Sequence, residues 1–151
     1  MTDKPGPAMT IKIGLISDVH AAPVPVMEAL AIFHREGVDT ILCAGDIAGY
    51  RSKLKQTVAT LIDSGCQAVL GNHDLWWLNR SEDEKDSALE KYLQALPRFI
   101  ELTAENKKIY MVHASPPESL LEGIKLLDEN AELLEDQKDD WSHRLKIFPS
   151  D

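Results

Sequence analysis

The chain has few cysteines and few basic side chains, and each scarcity excludes a class of function. Its two cysteines, Cys43 and Cys66, lack CxxC spacing and lie near the ends of apolar runs. They are therefore predicted to be reduced thiols in the core rather than a disulfide. Sixteen Lys and Arg against 25 Asp and Glu give a net charge of −9 and a pI near 5.0. Such an acidic surface argues against binding duplex DNA or RNA, but it leaves a small phosphorylated substrate open, because bound cations reverse the charge locally.

The chain also lacks a long apolar run and a glycine-rich phosphate loop. No segment has the length of a membrane span or the apolar core of a signal peptide, which predicts a cytoplasmic protein without a membrane partner. No glycine-rich loop follows the first apolar run, and this argues against a Rossmann-like nucleotide binder. With 151 residues, 44% of them hydrophobic, the chain is predicted to form one domain over residues 11–151. Residues 1–10 are predicted to be a disordered leader, and Met9 is an alternative start.

The first half of the chain alternates between strand-like and helix-like patterns. Three short apolar runs are typical of buried strands, and they lie at residues 11–16, 38–44 and 68–70. Apolar side chains at helical spacing predict two intervening helices, one after the prolines at 23 and 25 and one over residues 53–64. Alternating strands and helices predict a parallel sheet with right-handed crossovers. In such a sheet, ligands bind beyond the carboxyl ends of the strands.

The second half follows a different pattern. Residues 82–95 are polar with helical spacing, and two strand-like runs at 99–103 and 108–112 predict a β-hairpin with its turn at 104–107. A hairpin after alternating strands and helices indicates a mixed or second sheet. Leucine and isoleucine recur at helical spacing over residues 118–135, which predicts an amphipathic helix. The remaining residues, 136–151, are charged and contain only short apolar groups.

Four polar segments follow the strand-like runs at the points where strands end. They are Asp18-Val19-His20, Gly45-Asp46, Gly71-Asn72-His73-Asp74 and Val112-His113-Ala114-Ser115. Taken singly, each is weak, because polar and turn-forming residues often end strands, and a lone histidine is more often a hydrogen-bonded core residue. Four such segments in succession are hard to explain separately. Together they predict a metal site at one edge of the sheet.

The residue types indicate which cations this site binds. Asp18 and His20 are two positions apart, so a slightly irregular backbone can direct both at one ion. Asp46 has two carboxylate oxygens and is suited to bridge a pair of ions, while Asn72 and His113 add an amide oxygen and an imidazole nitrogen. This mixture suits Mn²⁺, Fe or Zn²⁺ better than Ca²⁺, which prefers oxygen alone. Two divalent ions are predicted, with Mn favoured and Fe, Zn or Ni as alternatives.

His73 and Asp74 are predicted to act in catalysis rather than to bind metal. A protonated His73 beside the pocket would donate a proton to the leaving oxygen or stabilise the developing negative charge. Asp74 would hold the His73 ring and favour its protonated form. The structural alternative is that Gly71 and Asn72 form a turn and Asp74 caps a helix, but a histidine between them has no structural necessity.

For several other side chains, the sequence leaves two roles open. Tyr50 and Arg51 either contact a substrate phosphate or simply follow the Gly45-Asp46 turn. The Trp76-Trp77 pair either lines the mouth of the pocket or packs the following helix. His143 follows no strand and has no glycine beside it, so a place among the ligands is disfavoured.

In these four segments the chain resembles the calcineurin-like metallophosphoesterases, in particular the small prokaryotic phosphodiesterase-type members. The family pattern is D-x-H, G-D, G-N-H-D/E, a strand ending in H, and finally G-H-x-H. The four segments match the first four blocks in order, over residues 11–117. The resemblance implies an α/β fold with a β-sandwich of two mixed sheets flanked by helices. It also implies one metal on Asp18, His20 and Asp46, a second on Asp46, Asn72 and His113, and phosphoryl transfer assisted by His73 with Asp74.

Two departures from this pattern affect the expected function. The chain has Ala21-Ala22 where many relatives have Gly-Asn, and it has no G-H-x-H segment after His113. The resemblance implies that this segment supplies one histidine to each metal and completes the second sheet, so a C-terminally incomplete fold is expected. The leading hypothesis is a metallophosphoesterase that hydrolyses a phosphomonoester or phosphodiester with a hydroxide bridging two ions. The alternative is a truncated, catalytically impaired remnant that binds metal weakly or forms homo-oligomers.

Overall fold

The computed structural model describes residues 10–80 and 86–146, and the described part contains five strands and five helices. In chain order they are β1 (Ile13–Ile16), α1 (Pro23–Glu36), β2 (Thr40–Cys43), α2 (Leu54–Asp63), β3 (Gln67–Ala68), α3 (Asn72–Leu78), α4 (Ser87–Gln94), β4 (Phe99–Ala104), β5 (Lys107–Val112) and α5 (Glu135–Leu145). The helix boundaries follow local chemistry. Proline at the first position begins α1 and a left-handed Gly37 ends it, while the Asp86 carboxylate caps α4 by accepting the Ala88 N–H at 2.9 Å.

The first three strands form the parallel sheet that the alternating pattern predicts. Their order is β1-β2-β3, with Ile13 opposite Thr40 and Ile16 opposite Cys43. Each strand is shorter than its apolar run, and the run at 68–70 shares only Ala68 with β3. The Val69 N–H nevertheless donates to Cys43 O at 3.0 Å, so the chain stays beside β2 after β3 ends. The carboxyl ends of the three strands therefore lie at one edge of the sheet.

The fourth and fifth strands form the predicted hairpin, in an antiparallel register from Phe99 opposite Val112 to Ala104 opposite Lys107. The hairpin packs on one face of the parallel sheet, where Leu42, Val69 and Met111 are buried together. In the described residues, one sheet is wholly parallel and the other wholly antiparallel, so the prediction of mixed sheets differs from what is observed. The coarser prediction of an α/β fold is confirmed.

The larger core lies on the other face of the parallel sheet. Alternate strand residues point to opposite faces, so Ile16, Cys43 and Ala68 face the helices rather than the hairpin. The helices contribute buried apolar side chains to this core, namely Val26 of α1, Val58 and Leu61 of α2, and Leu89 and Leu93 of α4. The parallel sheet thus packs against helices on one face and, over part of its area, against the hairpin on the other, and its polar groups are at its edges and loops. None of the described helices combines the length and the apolar content that crossing a membrane requires.

The prediction of an amphipathic helix over residues 118–135 is wrong. This segment is an extended loop with isolated bridges between Ser115 and Ser119 and between Leu127 and Leu133. Leu120 is buried, but most of the apolar stripe is not, and Leu121 remains 74% exposed. A local alternative to the helix is present, because the Asp128 carboxylate accepts the N–H groups of Asn130 and Glu132 at 2.8 and 2.9 Å.

The last helix, α5, lies instead where the sequence suggested only charged residues. Its one fully buried side chain is Trp141, and the Arg144 guanidinium lies 3.9 Å from the centre of the Trp141 ring. The same guanidinium donates two hydrogen bonds to the Glu122 carboxylate, at 2.8 and 2.9 Å. One aromatic anchor and one bidentate ion pair therefore attach α5 to the preceding loop. Residues 1–9, 81–85 and 147–151 lie outside the described part, and with them most of the predicted leader and the start of the predicted 82–95 helix.

Both thiols are free, as predicted, and they are expected to be unreactive in the folded protein. Burial raises the pKa of Cys43 to about 11 and the pKa of Cys66 to about 12. Iodoacetamide at pH 8 should therefore alkylate neither thiol in native protein and both in urea, which mass spectrometry measures. Between about pH 9 and 11 the unfolded thiols lose protons that the folded thiols keep, so the free energy of unfolding should fall as the pH rises through this range. Rapid alkylation of the native protein would contradict this prediction.

Candidate metal centre

The loops that leave β1 and β2 are bonded to each other beyond the ends of the strands. The N–H groups of Asp18, His20 and Ala21 donate to main-chain oxygens of the second loop at 3.1, 2.9 and 2.7 Å. Asp18 and His20 have positive φ angles, 53° and 43°, as does Asp46 at 55°. Left-handed backbone at residues other than glycine costs energy and is typical of functional sites. The expected irregular backbone at Asp18 and His20 is thus present, and main-chain hydrogen bonds hold it in place.

Asp46 lies at the centre of the predicted ligands, and its side chain is only 4% exposed. Its Oδ2 is 3.9 Å from His20 Nε2, and its Oδ1 is 3.4 Å from His113 Nε2. The two oxygens of one carboxylate therefore face two different imidazoles. The main-chain N–H of His73 also donates to Asp46 Oδ1 at 2.9 Å, which fixes the orientation of the carboxylate. A carboxylate placed in this way is suited to bridge two cation positions.

Both imidazoles that face Asp46 are oriented by main-chain carbonyls. His20 Nδ1 lies 3.2 Å from Ala48 O, and His113 Nδ1 lies 2.7 Å from Ala44 O. A carbonyl oxygen only accepts, so each Nδ1 carries a proton, and each Nε2 is turned toward carboxylate oxygen. Nε2 and a carboxylate oxygen attract each other only when a proton or a cation lies between them. Histidine held in this way is the usual arrangement at metal sites, so the donor set fits divalent cations.

The remaining predicted ligands join the same cluster. Asp18 Oδ1 lies 3.9 Å from His20 Nε2, and Asn72 Oδ1 lies 2.9 Å from His113 Nε2. Among the described residues, two groups of side chains have ligand atoms within 4.8 Å of one another, namely His20 with Asp46 and His73, and Asp18 with Asp46 and His113. The grouping differs from the predicted one, because Asp18 is also near His113 and His73 is also near His20. Asp46 belongs to both groups.

The close approach of two loops explains the glycine before Asn72. A Cβ atom on Gly71 would overlap the Asp46 carboxylate and main-chain nitrogen, because the two loops are in contact there. The Gly71 φ angle of −103° is ordinary, so the requirement is steric rather than conformational. Any larger residue would push Asp46 away from the two imidazoles.

Asp74 is fully buried, and its oxygens are engaged away from the His73 ring. Oδ1 accepts the Ala48 N–H at 2.6 Å, and Oδ2 accepts the Gly71 N–H at 2.9 Å. Burial raises the pKa of Asp74, although these main-chain hydrogen bonds oppose the shift. The expected contact with the His73 ring is not among its hydrogen bonds in the described residues. Asp74 instead joins the start of α3 to the loop after Asp46, so any part in catalysis must act through that loop.

His73 borders the cluster and packs among aromatic side chains. Its Nε2 lies 3.2 Å from the Tyr50 hydroxyl, and its ring is 4.7 Å from His20 and 4.6 Å from Trp76, between ring centres. Trp76 is half exposed beside this ring, while Trp77 packs against the main core, so the two tryptophans take different roles. His143 lies in the last turn of α5, outside both ligand groups.

A cleft of about 720 Å³ opens beside the cluster. Asp18 and His20 line it together with Tyr50 and Arg51, which the sequence had left open as substrate contacts. What the sequence does not reveal is the role of the main chain. The carbonyls of Ala44 and Ala48, which orient the histidines, have no signal in residue type, since every residue carries a carbonyl.

Comparisons with known proteins agree with this geometry. A model of the calcineurin-like phosphoesterase superfamily domain matches residues 11–143. An uncharacterized protein of Methanocaldococcus jannaschii is 30% identical over 120 residues, covering 69% of this chain and 49% of that protein. The chain therefore spans about half the length of this relative.

Two solved structures resemble the fold. A metallophosphoesterase from Sphaerobacter thermophilus has a TM-score of 0.61 at 29% identity, covering 76% of this chain and 51% of that one. A hypothetical protein from Pyrococcus horikoshii OT3 has a TM-score of 0.64, covering 91% of this chain and 66% of that one. The second likeness, at 15% identity, shows the fold alone.

Proposed function

Because this chain belongs to the calcineurin-like phosphoesterase superfamily, we propose that it hydrolyses a phosphomonoester or phosphodiester at a site for two divalent cations. The observation that carries the proposal is Asp46, whose two oxygens face the Nε2 atoms of His20 and His113. The net charge of −9 makes a small phosphorylated molecule, rather than a nucleic-acid duplex, the proposed partner. Manganese and a cytoplasmic location are part of the same proposal.

Each ligand has a defined task in this mechanism. Asp18, His20 and Asp46 would hold one ion, and Asp46, Asn72 and His113 the other. When bound, two such ions polarise a phosphoryl group and lower the pKa of a water molecule that attacks it. Main-chain carbonyls keep both Nδ1 atoms protonated, so both Nε2 atoms stay available as ligands without rearrangement.

His73 is proposed to supply the proton for the departing group. Its ring lies at the edge of the cluster beside the cleft, within reach of both a ligand histidine and the Tyr50 hydroxyl. From there the imidazole can donate a proton to the leaving oxygen, or stabilise the charge that develops on it. Asp74 supports this step from a distance, because its carboxylate accepts the N–H groups of Ala48 and Gly71 and so ties the loop after Asp46 to the start of α3.

The resemblance also implies a two-sheet sandwich and two further histidine ligands. The packing of the hairpin on the parallel sheet supports the sandwich, since Met111 is buried against Leu42 and Val69. No G-H-x-H segment occurs in the sequence. We propose that the five ligands in this chain bind cations more weakly than a set completed by those histidines would.

The direct test is the metal content of the purified chain. After equilibration with Mn²⁺ and gel filtration, elemental analysis should find about two ions per chain, and the protein should then hydrolyse an aryl phosphodiester. A sample equilibrated with Ca²⁺ is the control, because imidazole ligands disfavour that ion. A manganese content near zero, together with no hydrolysis of the aryl phosphodiester, would contradict the proposal.

A second candidate is a catalytically impaired, self-associating remnant. The observation behind it is Leu15, which lies on the edge strand β1 and is 60% exposed on the face that the hairpin covers only in part. Light scattering should then report a dimer or larger species. A strict monomer that retains two manganese ions would contradict this candidate and favour the enzyme.

A further inference from the structure

Tyr50 is held in a fixed position, yet most of its ring is open to solvent. Its ring centre lies 4.6 Å from that of His20 and 4.7 Å from that of His73, and its hydroxyl is 3.2 Å from His73 Nε2. The residue is nevertheless 76% exposed. The ring therefore touches a proposed ligand and the proposed proton donor, and still presents free aromatic surface to the cleft that it lines.

The main chain around Tyr50 explains how the ring is fixed. The Arg51 N–H donates to His20 O at 3.2 Å, which ties this segment to the metal-site loop. On the other side, Gly49 has a φ of 152°, and a Cβ atom there would overlap the His20 ring. The segment thus passes directly against the imidazole, as only glycine allows. Tyr50 is anchored through its neighbours and through its hydroxyl, so its open face is preorganised.

A single exposed aromatic side chain is ordinary, but here there are two on one imidazole. Trp76 lies 4.6 Å from His73 and is 52% exposed. Tyr50 and Trp76 come from different segments, and both contact the same ring. An exposed apolar patch beside a polar site marks a surface for a ligand, and aromatic faces favour planar partners.

We infer that Tyr50 positions His73 through its hydroxyl and that its exposed ring stacks on a planar group attached to the substrate phosphate. The inference rests on the proposed function and narrows its substrate class to phosphoesters that carry an aromatic ring, such as aryl or nucleoside esters. The cleft has a volume of about 720 Å³, enough for one such ring beside the phosphate. Arg51, which also lines it, places a positive charge where an anionic substrate enters.

Two substitutions separate the two tasks of Tyr50. Tyr50→Phe keeps the ring and removes the hydroxyl, so kcat for a phenyl phosphodiester should fall about tenfold, with KM changed by less than about twofold. Tyr50→Leu removes both the ring and the hydroxyl, so kcat for the phenyl ester should also fall about tenfold. In addition, KM for the phenyl ester should rise about tenfold, whereas KM for a methyl ester should stay unchanged. Tyr110→Phe is the matched control, because it also removes a hydrogen-bonded hydroxyl, donated to Pro117 O, and Tyr110 does not line the cleft.

The inference is overturned if Tyr50→Phe keeps the parent kcat, or if Tyr50→Leu raises KM equally for both esters. If the parent protein with Mn²⁺ hydrolyses neither ester, the proposed function fails, and binding decides the inference instead. Calorimetry on the manganese-loaded protein should then show phenylphosphonate binding about tenfold more tightly than methylphosphonate, a preference kept by Tyr50→Phe and lost by Tyr50→Leu. Equal binding of the two phosphonates by the parent protein overturns the inference.

Discussion

Replacing Asp46 by asparagine should reduce manganese-dependent hydrolysis by on the order of a thousandfold and abolish stabilisation of the fold by Mn²⁺. The two carboxylate oxygens face two imidazoles, and asparagine offers only one neutral oxygen in their place. At one hundred times its dissociation constant, Mn²⁺ should add about 2.7 kcal/mol to the free energy of unfolding of the parent protein. Thermal unfolding with and without Mn²⁺ measures this increase in stability, and the Asp46→Asn variant should show no increase.

The fold itself should survive the Asp46→Asn change. Asparagine is close to aspartate in size, and its oxygen can still accept the His73 N–H that Asp46 accepts at 2.9 Å. Removing a buried charge also removes the cost of keeping it from water, so the metal-free variant should be at least as stable as the parent. Asp63→Asn, on the exposed end of α2, is the matched control and should keep both activity and the response to Mn²⁺. A variant that is still stabilised by Mn²⁺ would remove Asp46 from the centre of the site.

The second large effect concerns stability. Asp74→Ala should lower the free energy of unfolding of the metal-free protein by about 2–5 kcal/mol, as measured by urea denaturation. The substitution leaves the buried N–H groups of Ala48 and Gly71 without their acceptor, each at a cost of about 1–3 kcal/mol, while relief from burying the carboxylate offsets part of the loss. Asp74→Asn should lie between the parent and the alanine variant, since its amide oxygen replaces only one of the two acceptors.

Asp128→Ala provides a matched control for the Asp74 prediction. Asp128 also accepts two main-chain N–H groups, those of Asn130 and Glu132, but its carboxylate is exposed to solvent. Water can replace an exposed acceptor, so this variant should lose much less stability than Asp74→Ala. If the two alanine variants are equally stable, burial is not what makes Asp74 important. If Asp74→Ala is the less stable, one buried carboxylate holds the loop after Asp46 to the start of α3.

The convergence of the candidate ligands was predictable because most of them follow strands of a parallel sheet. The apolar runs at 11–16, 38–44 and 68–70 indicate strands, and parallel strands bring their carboxyl ends to one edge. Asp18, Asp46 and Asn72 therefore had to approach one another whatever the details of the helices. The hairpin was predictable for a similar reason, since its turn and alternation are local, and it places His113 beside Asn72.

The helix predicted over residues 118–135 shows where local pattern fails. Leucines at helical spacing indicate a helix only if a neighbouring surface buries the stripe, and here Leu121 and Leu127 remain exposed. The turn around Asp128 is the structure that forms instead. In α5, by contrast, one buried tryptophan and one ion pair are enough to hold a helix in a sequence with little apolar periodicity.

The sequence by itself determined the parallel sheet, the hairpin, and the set of carboxylate, amide and imidazole groups at one edge, because residue type and spacing act locally along the chain. Only the tertiary structure decided the direction of each group. The carbonyls of Ala44 and Ala48 orient the two histidines. The Asp74 carboxylate accepts hydrogen bonds from the buried N–H groups of Ala48 and Gly71 rather than contacting the His73 ring. Main-chain groups are the same at every position, so which of them meets a given side chain depends on how distant loops pack.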